Sequence, residues 1–102
     1  MSDEDMLRPD IVLSVNGALL GSVTSNLRGV AVDWDDHTIR VVCYFHGSIS
    51  EEDQEIMDRV HTEVATDFVD SRTVELVTQR LDMPKKMDGL RAFVFERREE
   101  LP

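Results

Sequence analysis

The sequence predicts an α+β domain built as a two-layer sandwich: an antiparallel four-stranded sheet with helices on one face, in the order α-β-β-α-β-β. Three observations carry that expectation. Apolar residues alternate through Val30–Trp34 and again through Ile39–Phe45, with Asp35-Asp36-His37 between the runs. Ile56, Met57, Val60, Val64 and Phe68 recur at three- and four-residue steps behind Ser50, as the apolar stripe of a helix does. Two further alternating runs, from Val74 to Leu81 and from Leu90 to Arg97, follow that helix.

In chain order, residues 1–10 are polar and acidic and read as a flexible arm, with residues 11–102 as one domain. Ile11, Leu13 and Val15 alternate as in a strand, whereas Leu13, Gly17 and Leu20 share one side of a helix. A helix over 12–22 is favoured, with Gly21 as its C-terminal signal, and a strand stays open. The hairpin should turn its inward face through Val30, Val32, Trp34, Ile39, Val41, Cys43 and Phe45. Its turn is built by aspartates, whose side chains bond nearby amides. Ser50 should cap a helix over 51–68, with Glu51, Glu52 and Asp53 at the positive end of its dipole. Asp53 stands where a capping box usually has Glu or Gln. In the last strand, alternation does not decide which side faces the core.

The totals limit what such a domain can do. The chain has 102 residues, 41% of them apolar, which allows one modest core. Its net charge is −10, with 21 acidic against 11 basic residues. That balance argues against nucleic acid and anionic lipid as partners, since both are bound through cationic surface. Residues 1–70 carry 15 acidic and 4 basic side chains, so the excess belongs to the first two-thirds. No stretch is long and apolar enough to span a bilayer, and the acidic start is unlike a secretory leader. The single Cys43 has no disulfide partner in the chain, which fits a cytoplasmic protein.

Few residues point to chemistry. Cys43 and His46 are three apart on a strand and should face opposite ways, so they make poor metal co-ligands. Asp33, Asp35 and Asp36 lack the ordered spacing and central glycine of a calcium loop. His61 beside Glu63 or Asp67 is an imaginable base with its orienter, but a histidine flanking an apolar stripe is usually packed. No nucleophile elbow, P-loop or dinucleotide fingerprint is present. The reading is therefore a non-enzymatic protein with no metal and no cofactor. What remains is an acidic surface suited to a basic protein partner: Asp33, Asp35 and Asp36 at the hairpin tip, and Glu51, Glu52, Glu55 and Asp58 at the helix start. Trp34 or Tyr44 would be an aromatic anchor if exposed. Glu55 and Arg59 are spaced for an i, i+4 ion pair. Val42, Tyr44, Val77 and one aromatic of the last strand could form an apolar outer face of the sheet, hence a homodimer surface.

The phrases Ser25-Asn26-Leu27-Arg28-Gly29-Val30-Ala31-Val32-Asp33-Trp34-Asp35, Ile49-Ser50-Glu51-Glu52-Asp53, Thr62-Glu63-Val64-Ala65-Thr66-Asp67-Phe68 and Arg80-Leu81-Asp82-Met83-Pro84 resemble a family of small acidic bacterial proteins. The likeness runs from about residue 11 to residue 98. Members include immunity proteins of contact-dependent growth inhibition systems. The resemblance implies that the chain neutralises a toxin domain by binding it, and it carries no catalytic motif, so no residue role is transferred. Two other classes stay in view: a small homodimeric structural or regulatory module, and a small-ligand-binding domain with a site between helix and sheet.

Overall fold

The computed structural model describes residues 9–99. Helix α1 spans Pro9–Leu19, strands β1 and β2 span Leu27–Trp34 and Thr38–Phe45, helix α2 spans Glu51–Asp67, and β3 and β4 span Thr73–Arg80 and Ala92–Glu96. Residues 1–8 of the anticipated arm lie outside the described residues. Pro9 and Asp10 already belong to α1, where proline suits a first helical turn that has no amide bond to lose. The helix thus settles the 11–23 ambiguity and begins three residues earlier than the pattern suggested. It ends at Leu19, and Gly21 takes φ +75 in the turn that follows.

The sheet has four strands in the order β3-β2-β1-β4. It is mixed, which corrects the all-antiparallel expectation. β1 is antiparallel to β2 and to β4, but β2 and β3 are parallel, from Thr38 beside Thr73 to Phe45 beside Arg80. The reason is length. The 17 residues of α2 rise about 25 Å at 1.5 Å each. The eight residues of β2 rise about 26 Å at 3.3 Å each. The helix therefore returns the chain to the end where β2 began, and β3 must start there and run alongside it.

Both helices pack on one face. Val30, Val32, Trp34, Ile39, Val41, Cys43 and Phe45 all join that core, with Ile11, Val15, Met57, Val60 and Val64 from the helices. The hairpin pairs them as Val30 with Cys43, Val32 with Val41, and Trp34 with Ile39. At the start of α2, Ser50 accepts from the Asp53 amide, and the Asp53 carboxylate accepts from the Ser50 amide. The shorter aspartate thus completes the capping box. Asp53 also accepts from Thr24 and Asn26, tying the α1–β1 connection to α2.

The opposite face of the sheet is covered by the chain's own β3–β4 connection. Ala31, Val42 and Tyr44 are buried there under Leu81, Met87, Leu90 and Phe93. Gly29 permits this approach: a Cβ at that position would lie 2.8 Å from Met87 Sδ and 3.2 Å from the Phe95 carbonyl oxygen. The Tyr44 hydroxyl donates to the Asp88 carbonyl, and the Met83 amide donates to His46 Nδ1. The buried Arg28 guanidinium donates to the Leu81 carbonyl and to both oxygens of Glu99. A register shift between Val30 and Ala31 explains why β4 resisted a face assignment. Phe95 packs toward the helix-side core and Phe93 toward the loop-covered one.

Candidate functional site

The acidic residues singled out in the sequence fall into two groups that the fold does not bring together. The hairpin tip sits where β2 begins, and the start of α2 follows the end of β2. One full strand, about 26 Å at 3.3 Å per residue, therefore separates them.

At the tip, two of the three carboxylates are occupied by local structure. Asp35 accepts from the His37 and Thr38 amides, and these bonds hold its carboxyl below the usual carboxylate range. Asp33 accepts from the Trp34 amide and pairs with Arg91 at 2.9 Å. Asp36 is exposed. Trp34 is only 6% exposed, and the Arg91 guanidinium lies 5.0 Å from its ring centroid. Packing into the core under a cation removes Trp34 as an exposed anchor. Tyr44 is buried beneath the β3–β4 connection and is likewise unavailable.

On α2 the picture differs. Glu51, Glu52, Glu55 and Asp58 are all exposed, and none forms an ion pair among the described residues. The Glu55–Arg59 spacing therefore does not mature into a bridge. The Asp58 carboxylate accepts from the Gln54 side-chain amide on its own helix. Glu63 and Asp67, nearer the C-terminal end of the helix, are also exposed. In all, α2 holds seven acidic residues and one arginine, a net of −6. Asp53 alone is buried among the seven. Burial pushes its carboxyl up, but the hydrogen bonds from Asn26, Ser50 and Thr24 outweigh that and leave its pKa lowered.

A groove of about 430 Å³ runs between the two helices. Leu13, Gly17 and Ala18 of α1 line one side, and Thr62, Glu63, Thr66 and Asp67 of α2 line the other. Ser14 donates to Asp67 across it at 2.5 Å. Sequence reasoning placed Leu13, Gly17 and Leu20 on one side of a helix and weighed Glu63 and Asp67 as companions of His61. It had no means of seeing that α1 and α2 lie side by side.

The residues once weighed for chemistry have structural duties. His61 Nε2 lies 2.8 Å from the Val74 carbonyl oxygen, the geometry of a protonated Nε2 linking α2 to β3. Burial pushes the Cys43 thiol up to about 12, so it packs as a small hydrophobe. Among the described residues, no group of three His, Cys, Asp or Glu side chains is placed to hold a metal ion, and no helix is long and apolar enough to cross a membrane. Because Val42 and Tyr44 lie under the β3–β4 connection, the apolar outer sheet face drawn from alternation is not presented to a second copy. Only Val77 of that set is exposed.

No curated protein matches the chain. A family model does: MafI2 immunity protein, over residues 8–99. The likeness to immunity proteins thus holds at the level of immunity, while the match names MafI2 and not contact-dependent growth inhibition. A match across nearly the whole chain, on a small α+β domain with an unpaired acidic helix face, places this protein in the MafI2 immunity protein family.

Proposed function

We propose that this protein neutralises a toxin domain by binding it, without catalysis, and that the acidic outer surface of α2 makes first contact. Family membership supports a toxin partner. The single observation that carries the surface is the charge of α2: Glu51, Glu52, Glu55 and Asp58 are exposed and free of ion pairs among the described residues. Helix-dipole complementarity accounts for acids in the first turn but not for Glu55, Asp58, Glu63 and Asp67 further along. Like charges at i, i+4, as in Glu51–Glu55 and Glu63–Asp67, mildly destabilise a helix, so a surface that keeps them favours something other than stability.

A basic partner supplies that role. A toxin that acts on a polyanion needs a cationic groove, and an acidic helix face can steer toward such a groove, occupy it and exclude the substrate. The hairpin-tip acids play the smaller part, since Asp33 and Asp35 are engaged locally and lie at the far end of the sheet. The same reading places the action in the cytoplasm, where a lone buried thiol is at no risk of mispairing.

Co-expression tests the proposal. Cells producing the cognate toxin should survive when the chain is present and die when it is absent. Continued killing at full expression of a folded chain would end the toxin-binding reading.

A further inference from the structure

We infer that the groove between α1 and α2 receives a cationic segment of the toxin, one that sets an apolar residue over Gly17 and Lys or Arg side chains against Glu63 and Asp67. The inference rests on the toxin-binding reading and assigns its contact to particular residues.

Three features of the groove agree. Its α1 side is uncharged and, apart from Ser14, apolar. No charged residue occurs between Asp10 and Arg28, yet Leu13 is 67% exposed and Leu20 77% exposed on the outward side. Large apolar side chains left in water beside a hollow mark a contact surface. Gly17 makes the hollow: a Cβ there would meet nothing within 4 Å, so no packing within the fold demands a glycine. Glycine inside a helix is less favourable than alanine, and what it provides here is space. The α2 side is acidic and uncompensated. Glu63 has no cation beside it among the described residues, and Ser14 holds the Asp67 carboxylate in place across the groove.

An apolar strip flanked by unpaired carboxylates matches a partner that is apolar in the middle and cationic at the side. A second copy of this chain fits badly, because two helix faces of net −6 would meet with like charges.

The test uses the full-length chain and a catalytically inactivated form of the cognate toxin domain. Leu13→Glu and Glu63→Lys alter exposed side chains, and Gly17→Leu fills open space with a better helix former, so each variant should melt no lower than about the wild-type temperature. Each should weaken toxin binding about tenfold or more, whereas Glu75→Lys, at an exposed position on β3, should change it less than about twofold. The Glu63→Lys deficit should shrink at high salt, and the Leu13→Glu deficit should persist. Wild-type affinity in all three groove variants would overturn the groove while leaving toxin binding in force. Failure of the wild-type chain itself to bind would overturn both. A concentration-dependent dimer of the free chain that Leu13→Glu abolishes would assign the groove to a second copy and overturn the inference.

Discussion

The two faces of the sheet are covered by different means. One face lies under two helices and shares with them a continuous apolar core, from Ile11 and Val15 through Val41 and Phe45 to Met57 and Val64. The other lies under an irregular connection with a small apolar set of its own, Ala31, Val42 and Tyr44. That connection is fastened by directed bonds: Tyr44 to Asp88, Met83 to His46, Gly47 to Asp82, and Arg28 to Leu81. The helix side is held mainly by burial, which is large and undirected. The loop side depends more on hydrogen bonds, each worth about 1 kcal/mol net. Charge divides the same way. α2 carries a net of −6, whereas residues 81–98 carry five basic and three acidic side chains.

The largest expected effect lies on the helix side. Phe45 is fully buried, and Phe45→Ala should cost about 3–5 kcal/mol in denaturant unfolding. A loss below about 1 kcal/mol would mean that this core carries less of the fold than its burial implies. Next comes the Arg28–Glu99 pair at the edge of the loop side. Arg28 is 3% exposed, and Glu99→Gln removes its anionic partner while the bond to Leu81 stays, for a cost of about 1.5–3 kcal/mol.

The same pair sets an acid response. The Arg28 hydrogen bond, helped by Arg97 and opposed by burial, holds the Glu99 carboxyl at about 2, against an ordinary 4.5. Arg80 and the Gly47 amide likewise hold Asp82 at about 2, against 3.8. A lowered folded-state pKa means that the stability is complete above the unfolded value and is lost as these groups protonate. Stability should therefore fall as pH drops from about 4.5 toward 2, and Glu99→Gln should flatten that decline. An equally steep decline in the variant would remove Glu99 from the acid response.

A smaller effect isolates the loop side. Tyr44→Phe deletes the hydroxyl that donates to Asp88 and leaves the ring in place, for about 0.5–1.5 kcal/mol. Hydrogen exchange should quicken around residues 82–91 and stay slow in α2. Uniformly faster exchange would show that the two faces open as one unit.

This contrast explains what could be read from the sequence. Burial by regular elements leaves a periodic trace, so the seven inward hairpin residues and the extent of α2 were legible to within a residue or two. The Ser50 cap was legible for a similar local reason. The parallel pairing of β2 and β3 follows from a helix matched in length to the strand, information that alternation does not contain. The loop-covered core was hidden because Met87 belongs to no alternating run, and because Leu81 and Leu90 read as strand ends although they lie outside β3 and β4. That omission made Val42 and Tyr44 look like an exposed patch. Trp34 was legible as an inward residue, but the cation over its ring was not, because Arg91 lies 57 positions away in the chain. The acidic residues of the candidate surface were visible as composition, but which carboxylates stay unpaired is a property of the folded chain.

The most direct test of the account is the association rate with the inactivated cognate toxin domain, measured by stopped flow across a salt series. Glu51→Lys, Glu52→Lys and Glu55→Lys combined should slow association about tenfold or more at low salt and flatten its salt dependence, while Asp35→Asn and Asp36→Asn combined should leave the rate within about twofold. An on-rate and salt slope unchanged by the three α2 reversals would contradict the acidic helix face as the surface of first contact.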